Sequence, residues 1–367
     1  MKARIHVQSY GIPLRSSFKH NSAERKSTST VLVSIERNQL RGFGEACPRS
    51  YVTGESVEGA ISWIKSKSDD LSTIESLNDL KLWSERNSSE IDGNLAAFCA
   101  VELAFLDLLS KEHKQSLENF LGLKEIDGSF QYSAVVGDEE SEKLEKILKS
   151  YLQMGFRDFK FKLSGIFEID LKKFSLLNEL AGANSSQLRI RVDANNIWAQ
   201  KAEEALKYFH KLKINFTAIE EPLGAHEWEG LSRLSTELNT PIILDESLLK
   251  AEDMQKALTL PGQWIPNIRI SKVGGILRAL KIAKIASEGG CKLIIGAQVG
   301  ETSVLTRAAL TVAQTYKDHL LAQEGAFGTL LIEKDIARPE LRFGERGILK
   351  WKQEGFGLGL HIDNPIN

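Results

Sequence analysis

The sequence predicts an α/β chain, a barrel of parallel strands behind a smaller α+β domain, on three observations. Its 367 residues exceed one minimal domain but accommodate a barrel of roughly 200 to 250 residues with a partner. From residue 130 onward, short β-type runs alternate with amphipathic helical stretches, the pattern of repeated βα units around a parallel sheet. Residues before about 127 lack that alternation.

Residues 1–127 hold early strands, including 31–35, then helical stretches such as 95–110, and are read as the α+β domain. Barrel strands are expected at 130–136, 156–162, 188–193, 217–220, 241–245, 265–272, 292–296 and 319–323. Between them, segments such as 142–153, 171–181, 201–211 and 276–287 repeat apolar residues at helical spacing. The units share little residue identity, which disfavours a solenoid. The barrel is assigned to 128–327. Residues 328–367, with several Gly and Pro and little periodicity, are read as a segment returning over the first domain. Gly355, Gly357 and Gly359 lie in no βαβ unit and are read as turns.

Lys and Arg total 47 against 49 Asp and Glu, a formal charge of -2, so no broad field draws in nucleic acid or an anionic membrane. Cys47, Cys99 and Cys291 are far apart and form no CxxC pair, which argues against a disulfide framework or a zinc site. No apolar stretch has signal-peptide or membrane-spanning length. A soluble cytoplasmic protein acting on a small molecule is expected, with homo-oligomerisation left open.

Chemistry in a parallel barrel sits at the carboxyl ends of the strands. Three successive runs end in acids, Asp193, Glu220 and Asp245, spaced 27 and 25 residues apart, one βα unit each. Singly, each could be a helix cap. Together they would repel without a cation, and an all-oxygen set suits Mg2+. Glu221 and Glu246 are adjacent to two of them; strand neighbours face opposite ways, so the first of each pair is chosen.

Lys160 and Lys162, two apart in FKFKLSG, project from one face of their strand. A lysine's free base is disfavoured by roughly 4.6 kcal/mol at pH 7. A like-charged neighbour and a metal reduce that cost, so Lys160 is expected to prepare Lys162 as a base. Lys272 ends the sixth expected strand, across the barrel mouth. A carboxylate substrate between them would meet one lysine on each face, with the metal stabilising the enolate left by the α-proton. Return of a proton to the opposite face gives racemisation or epimerisation. Loss of a β-substituent, or ring opening, gives a lyase or cycloisomerase.

KFK, VDAN, IEEP, LDES and SKVGG, in this order and spacing, resemble the enolase superfamily, specifically its muconate-lactonizing-enzyme subgroup within the mandelate racemase/muconate lactonizing enzyme-like proteins. The resemblance implies a modified TIM barrel, (β/α)7β, capped by an N-terminal α+β domain. It implies Lys162 and Lys272 as the acid/base pair and Asp193, Glu220 and Asp245 as Mg2+ ligands, with Lys160 and Asn195 supporting. RSSFKHNSAERK at 15–26 resembles the mobile substrate-selecting loop, which singles out His20 and Arg25; PRSYVTGES at 48–56 resembles a second capping loop, with Arg49 and Tyr51. Glu301 in VGETS and Glu324 match rim acids of the subgroup, and Gln298 lies at the same rim. KLIIGAQ lacks the seventh-strand histidine of mandelate racemases. Glu324, Gly325 and Ala326 replace the Asp-x-Asp with which dipeptide epimerases hold an amino group. Arg269 stands where many relatives carry lysine. The leading expectation is a cycloisomerase, slightly ahead of an amino-acid or dipeptide racemase or epimerase. Lyases, such as a dehydratase or an o-succinylbenzoate synthase, come third, and a non-catalytic metal-binding barrel last.

Overall fold

The computed structural model describes residues 2–20, 23–139 and 141–363, with backbone alone for 16–20 and 23–26. Strands β1 (Arg4–His20), β2 (Ala23–Arg37) and β3 (Leu40–Ala46) form an antiparallel sheet. Helices α1 (Val57–Leu71), α2 (Leu77–Arg86), α3 (Ser88–Asp92), α4 (Leu95–Glu112) and α5 (Leu117–Phe120) follow. Fourteen of the first sixteen residues of α4 are apolar or small, and burial runs unbroken from Leu95 to Ser110, as in a helix enclosed on all sides. Two glycines bring it onto the sheet. A Cβ at Gly42 would fall 2.1 Å from the Ala104 carbonyl oxygen, and one at Gly44 2.0 Å from that of Ala100.

After β4 (Asp127–Gln131), eight strands form one parallel sheet: β5 (Ala134–Val136), β6 (Asp158–Lys162), β7 (Arg189–Asp193), β8 (Ala218–Glu220), β9 (Ile242–Leu244), β10 (Trp264–Arg269), β11 (Leu293–Gly296) and β12 (Leu320–Gln323). Their order in the sheet is their order in sequence, as right-handed βα crossovers produce. The Ser133 N–H donates to the Gln323 carbonyl at 2.8 Å, and Tyr132 bridges Gln323, which joins the first strand to the last. The connecting helices are α6 (Ser141–Gln153), α7 (Phe167–Ala181), α8 (Ala202–Leu212), α9 (Trp228–Leu238), α10 (Ala251–Leu258), the single turn α11 (Ile270–Val273), α12 (Ile276–Glu288) and α13 (Ser303–Thr315). In α8 the buried residues Ala205, Leu206, Tyr208, Phe209 and Leu212 recur at helical spacing and face the barrel.

Three local expectations are corrected. The run 130–136 is two strands, because β4 pairs with β14 (Ile348–Lys352) and only β5 enters the barrel. The run 265–272 ends as a strand at Arg269, so Lys272 lies on α11. Backbone at 15–20 and 23–26 continues β1 and β2 as a ribbon rather than an open loop. In the tail, β13 (Ala337–Arg338) pairs with β15 (His361–Ile362). The Leu358 N–H donates to Asp107, and the Leu117 N–H to the Gly357 carbonyl. Gly355, Gly357 and Gly359 all have φ between 64° and 69°, left-handed turn geometry. Among the described residues no helix is long and apolar enough to cross a membrane.

Candidate active site

A small apolar cluster of Ala218, Ile243, Ile265, Ile294 and Ala322 fills the barrel interior. Strand side chains repeat their direction every second residue, so Glu220, Asp245, Asn267, Gly296 and Glu324 stand one step above it, towards the carboxyl ends. Gly296 is glycine for space: a Cβ there would lie 2.1 Å from Asn267 Oδ1 and 3.2 Å from Arg269 Cγ.

On this floor the charges alternate in a chain. Asp158 accepts from Arg191 at 3.0 Å, and Arg191 donates to Glu324 at 2.7 Å. Lys160 Nζ reaches Glu324 at 3.0 Å, Glu220 Oε1 at 2.7 Å and Asp193 Oδ2 at 3.4 Å. Arg269 lies 3.6 Å from Glu220 and hydrogen-bonds Asp245 Oδ2, while Lys272 donates to Asp245 Oδ1 at 2.7 Å. Each buried ion thus has a counter-ion, without which it would cost several kcal/mol. Burial opposes the charge of Lys160, yet Glu220, Glu324 and Asp193 raise its pKa. Against burial, Lys160 and Arg191 hold Glu324 at about 2. Asp245 is likewise held well below the usual range, against burial, by Arg269 and Lys272. Burial pushes Glu220 up to about 8 despite Lys160.

The expected primer of Lys162 therefore sits among carboxylates. Lys160 is locked to three acids, so the structure gives it an anchoring place beneath the site. Lys162, at the tip of β6, is half-buried, and among the described residues its ammonium has no hydrogen-bond or ion-pair partner. Lys272 is 0% exposed and donates to the Asp245 carbonyl at 2.5 Å, Asp245 Oδ1 at 2.7 Å and the Asn267 carbonyl at 3.0 Å. Four steps round a ring of eight separate β6 from β10, which leads into α11; the two lysines belong to opposite sides of the mouth.

Other candidates are placed differently from their expected roles. Glu324 is not an open rim acid, because both its oxygens are taken by Lys160 and Arg191. Arg49 is 4% exposed and spends its guanidinium on the Ser29, Pro48 and Val299 carbonyls and on Thr28 Oγ1, latching the first domain to the loop after β11. Gln298 Oε1 accepts from Arg269 at 3.1 Å. Glu301 Oε1 accepts the Gln298 N–H at 2.7 Å, and burial lifts its pKa to about 8. Asn195, with φ 43°, acts through its backbone, donating to Asp193 Oδ1 at 3.1 Å. Tyr51 is 39% exposed. The side chains of His20 and Arg25 lie outside the described residues. Glu221 turns away from Lys160 and accepts the Asp245 and Ser247 N–H groups at 2.9 and 2.7 Å.

Among the described residues no three His, Cys, Asp or Glu side chains converge as a metal cage. Asp193 and Glu220 share Lys160, while Asp245 sits with Arg269 and Lys272. The donor chemistry nevertheless fits a hard cation. Glu220 Oε2 and Glu246 Oε2 are buried acceptors with no hydrogen-bond partner, and such atoms are costly to leave bare. Strand alternation turns Glu246 outward in the sequence, and no motif there marks Asn267, which donates to Glu220 at 3.2 Å.

Residues 143–366 match the family described as enolase C-terminal domain-like. The chain is 26% identical over 373 residues to an N-succinyl-L-Arg/Lys racemase of Bacillus cereus, covering 98% of this chain and 95% of that one; the solved structure of the Bacillus cereus N-succinyl Arg/Lys racemase aligns with a TM-score of 0.84 and 25% identity, covering 99% and 96%. It is 26% identical over 355 residues to a hydrophobic dipeptide epimerase of Enterococcus faecalis, covering 93% and 97%. A dipeptide epimerase of Methylococcus capsulatus, solved with Mg and the dipeptide L-Arg-D-Lys, aligns at TM-score 0.83 and 26% identity, covering 98% and 99%. These relatives are isomerases, as expected of this superfamily, but they racemise or epimerise amino-acid derivatives, so the preference for a muconate-type cycloisomerase gives way to its alternative. The chain belongs to the enolase C-terminal domain-like family, within the enolase superfamily.

Proposed function

We propose that the protein is a Mg2+-dependent racemase or epimerase that inverts the α-carbon of an N-acylated amino acid. The observation carrying this reading is the pair Lys162, at the tip of β6, and Lys272, on α11 after β10, four steps apart in a ring of eight, one for each face of a substrate held between them. One lysine, as free amine, takes the α-proton. The other, as ammonium, delivers a proton to the opposite face. One C–H bond breaks and one forms, with no redox change, and the lysines exchange protonation states. Asp193, Glu220 and Asp245 would hold the metal, which when bound stabilises negative charge developing on the substrate carboxylate. The division near residues 127 and 327 gives the barrel the chemistry and the first domain, with the tail, the cover.

The substrate class follows from Glu324. A dipeptide brings a free ammonium group that needs a carboxylate partner, and Glu324 is already paired with Lys160 and Arg191, next to Gly325 and Ala326 in place of further acids. An acylated nitrogen makes no such demand. The relative acting on N-succinyl-Arg/Lys supports this over the dipeptide reading, which stands second on the epimerases. A polarimetric assay of N-succinyl amino acids and dipeptides with Mg2+ tests it. Decay of optical rotation with the N-succinyl compounds supports the proposal; activity confined to dipeptides transfers it to the second reading, and a lactone product overturns both.

A further inference from the structure

We propose that the two lysines are held by separate positioning residues, Lys173 for Lys162 and Glu102 for Lys272. This rests on the two-lysine reading above. Lys173 lies on α7, 2% exposed. Its ammonium donates to the Lys162 carbonyl at 3.1 Å, to Asp138 at 2.6 Å and to Asp170 at 2.9 Å, three acceptors for three donors. Asp170 in turn accepts the Ser164 and Gly165 N–H groups, both at 3.0 Å. The carbonyl of Lys162 and the turn that follows it are thus fixed from outside the barrel. Packing α7 on the sheet needs no ammonium there; an apolar side chain would do it with less desolvation and entropy loss.

Lys272 is held from the other domain. Glu102, on α4 and 1% exposed, accepts the Leu277 N–H at 3.1 Å, just past Gly274 and Gly275 with φ of 86° and 109°. A Cβ at Gly275 would fall 2.2 Å from Glu102 Oε1, so backbone and carboxyl group are in close contact. On the near side of Lys272, the Cys47 N–H donates to Ser271 Oγ at 2.9 Å. One lysine is set by the barrel's own helix, the other by the first domain.

Separate positioning makes the two faces of the reaction separately breakable. The full-length protein with Mg2+ would be given, in deuterated water, the L and D forms of N-succinylarginine and N-succinyllysine and the L,L and L,D forms of Ala-Glu, and initial deuterium wash-in would be followed for each. For Lys173→Met we expect wash-in from one configuration to fall about ten- to a hundredfold, the cost of a small misplacement, with the other little changed and Lys173→Arg restoring the balance. Glu102→Ala should show the opposite preference. If Lys173→Met does not fold, Asp138→Ala, at a half-exposed partner, should show the same asymmetry more weakly. Equal slowing of both configurations by Lys173→Met overturns the proposal while leaving two-lysine catalysis intact. No wash-in by the wild-type protein removes that reading, and this proposal with it.

Discussion

The two sides of the barrel mouth are built on different terms. Lys162 is half-buried and its ammonium is unpaired among the described residues; Lys272 is fully buried and gives all three donors to Asp245 and Asn267. On the first side the ammonium is left open to a substrate. On the second, Asp245 and the Asn267 carbonyl fix the ammonium in one orientation. Identical side chains thus differ in freedom of movement: one is held only through its backbone and the other through its ammonium.

The largest break in this comparison is removal of either lysine. Lys162→Ala and Lys272→Ala should each reduce turnover by about a thousandfold in the polarimetric assay, while each retains deuterium exchange of one configuration only. Loss of exchange from both configurations in both variants would mean the lysines do not act on separate faces.

Arg269 tests the second side more finely. Arg269→Met leaves Asp245 and Glu220 without their shared cation, and metal-free protein should lose about 3 kcal/mol in urea denaturation, with most of it regained in Mg2+. An equal loss with and without Mg2+ would show that Arg269 and the metal do not compete for the same carboxylates.

The same side carries a pH dependence. Burial pushes Glu102 up to about 8, although the Leu277 and Ile276 N–H groups pull it down. Its raised folded pKa means that its contribution is full below about 4.5 and lost as pH rises through about 8, amounting to at most a few kcal/mol. Glu102→Gln should therefore flatten thermal stability across that interval; an unchanged slope would exclude Glu102 as its source. Smallest is Arg49→Met, expected to cost roughly 1 to 3 kcal/mol by leaving its buried acceptors unpaired. A raised KM at unchanged stability would instead return Arg49 to the substrate, as its motif suggested.

The barrel was legible because its strands end in acids and lysines at one-unit spacing, and a period of two carries those ends to a common rim. Asp193, Glu220, Asp245, Lys160 and Lys162 need nothing further to be placed. What stayed hidden depends on partners distant in sequence. Nothing near Glu324 reveals that Arg191 and Lys160 take both its oxygens, and nothing near Arg49 reveals the Val299 carbonyl. The β-type residues running up to Lys272 predict a strand there, but α11 begins at Ile270, where the following glycines permit the turn. Lys173 looks like an ordinary residue of an amphipathic helix, whereas Glu102 interrupts an otherwise apolar run, and that lone charge is the available signal.

Inversion at the α-carbon by two lysines can be followed with N-succinyl-L-arginine and Mg2+ in deuterated water by NMR and chiral separation. The D product should carry one deuterium at the α-carbon from the earliest turnovers, while the returned L form gains it more slowly. A D product that retains the original hydrogen, or a product of altered connectivity, would contradict it.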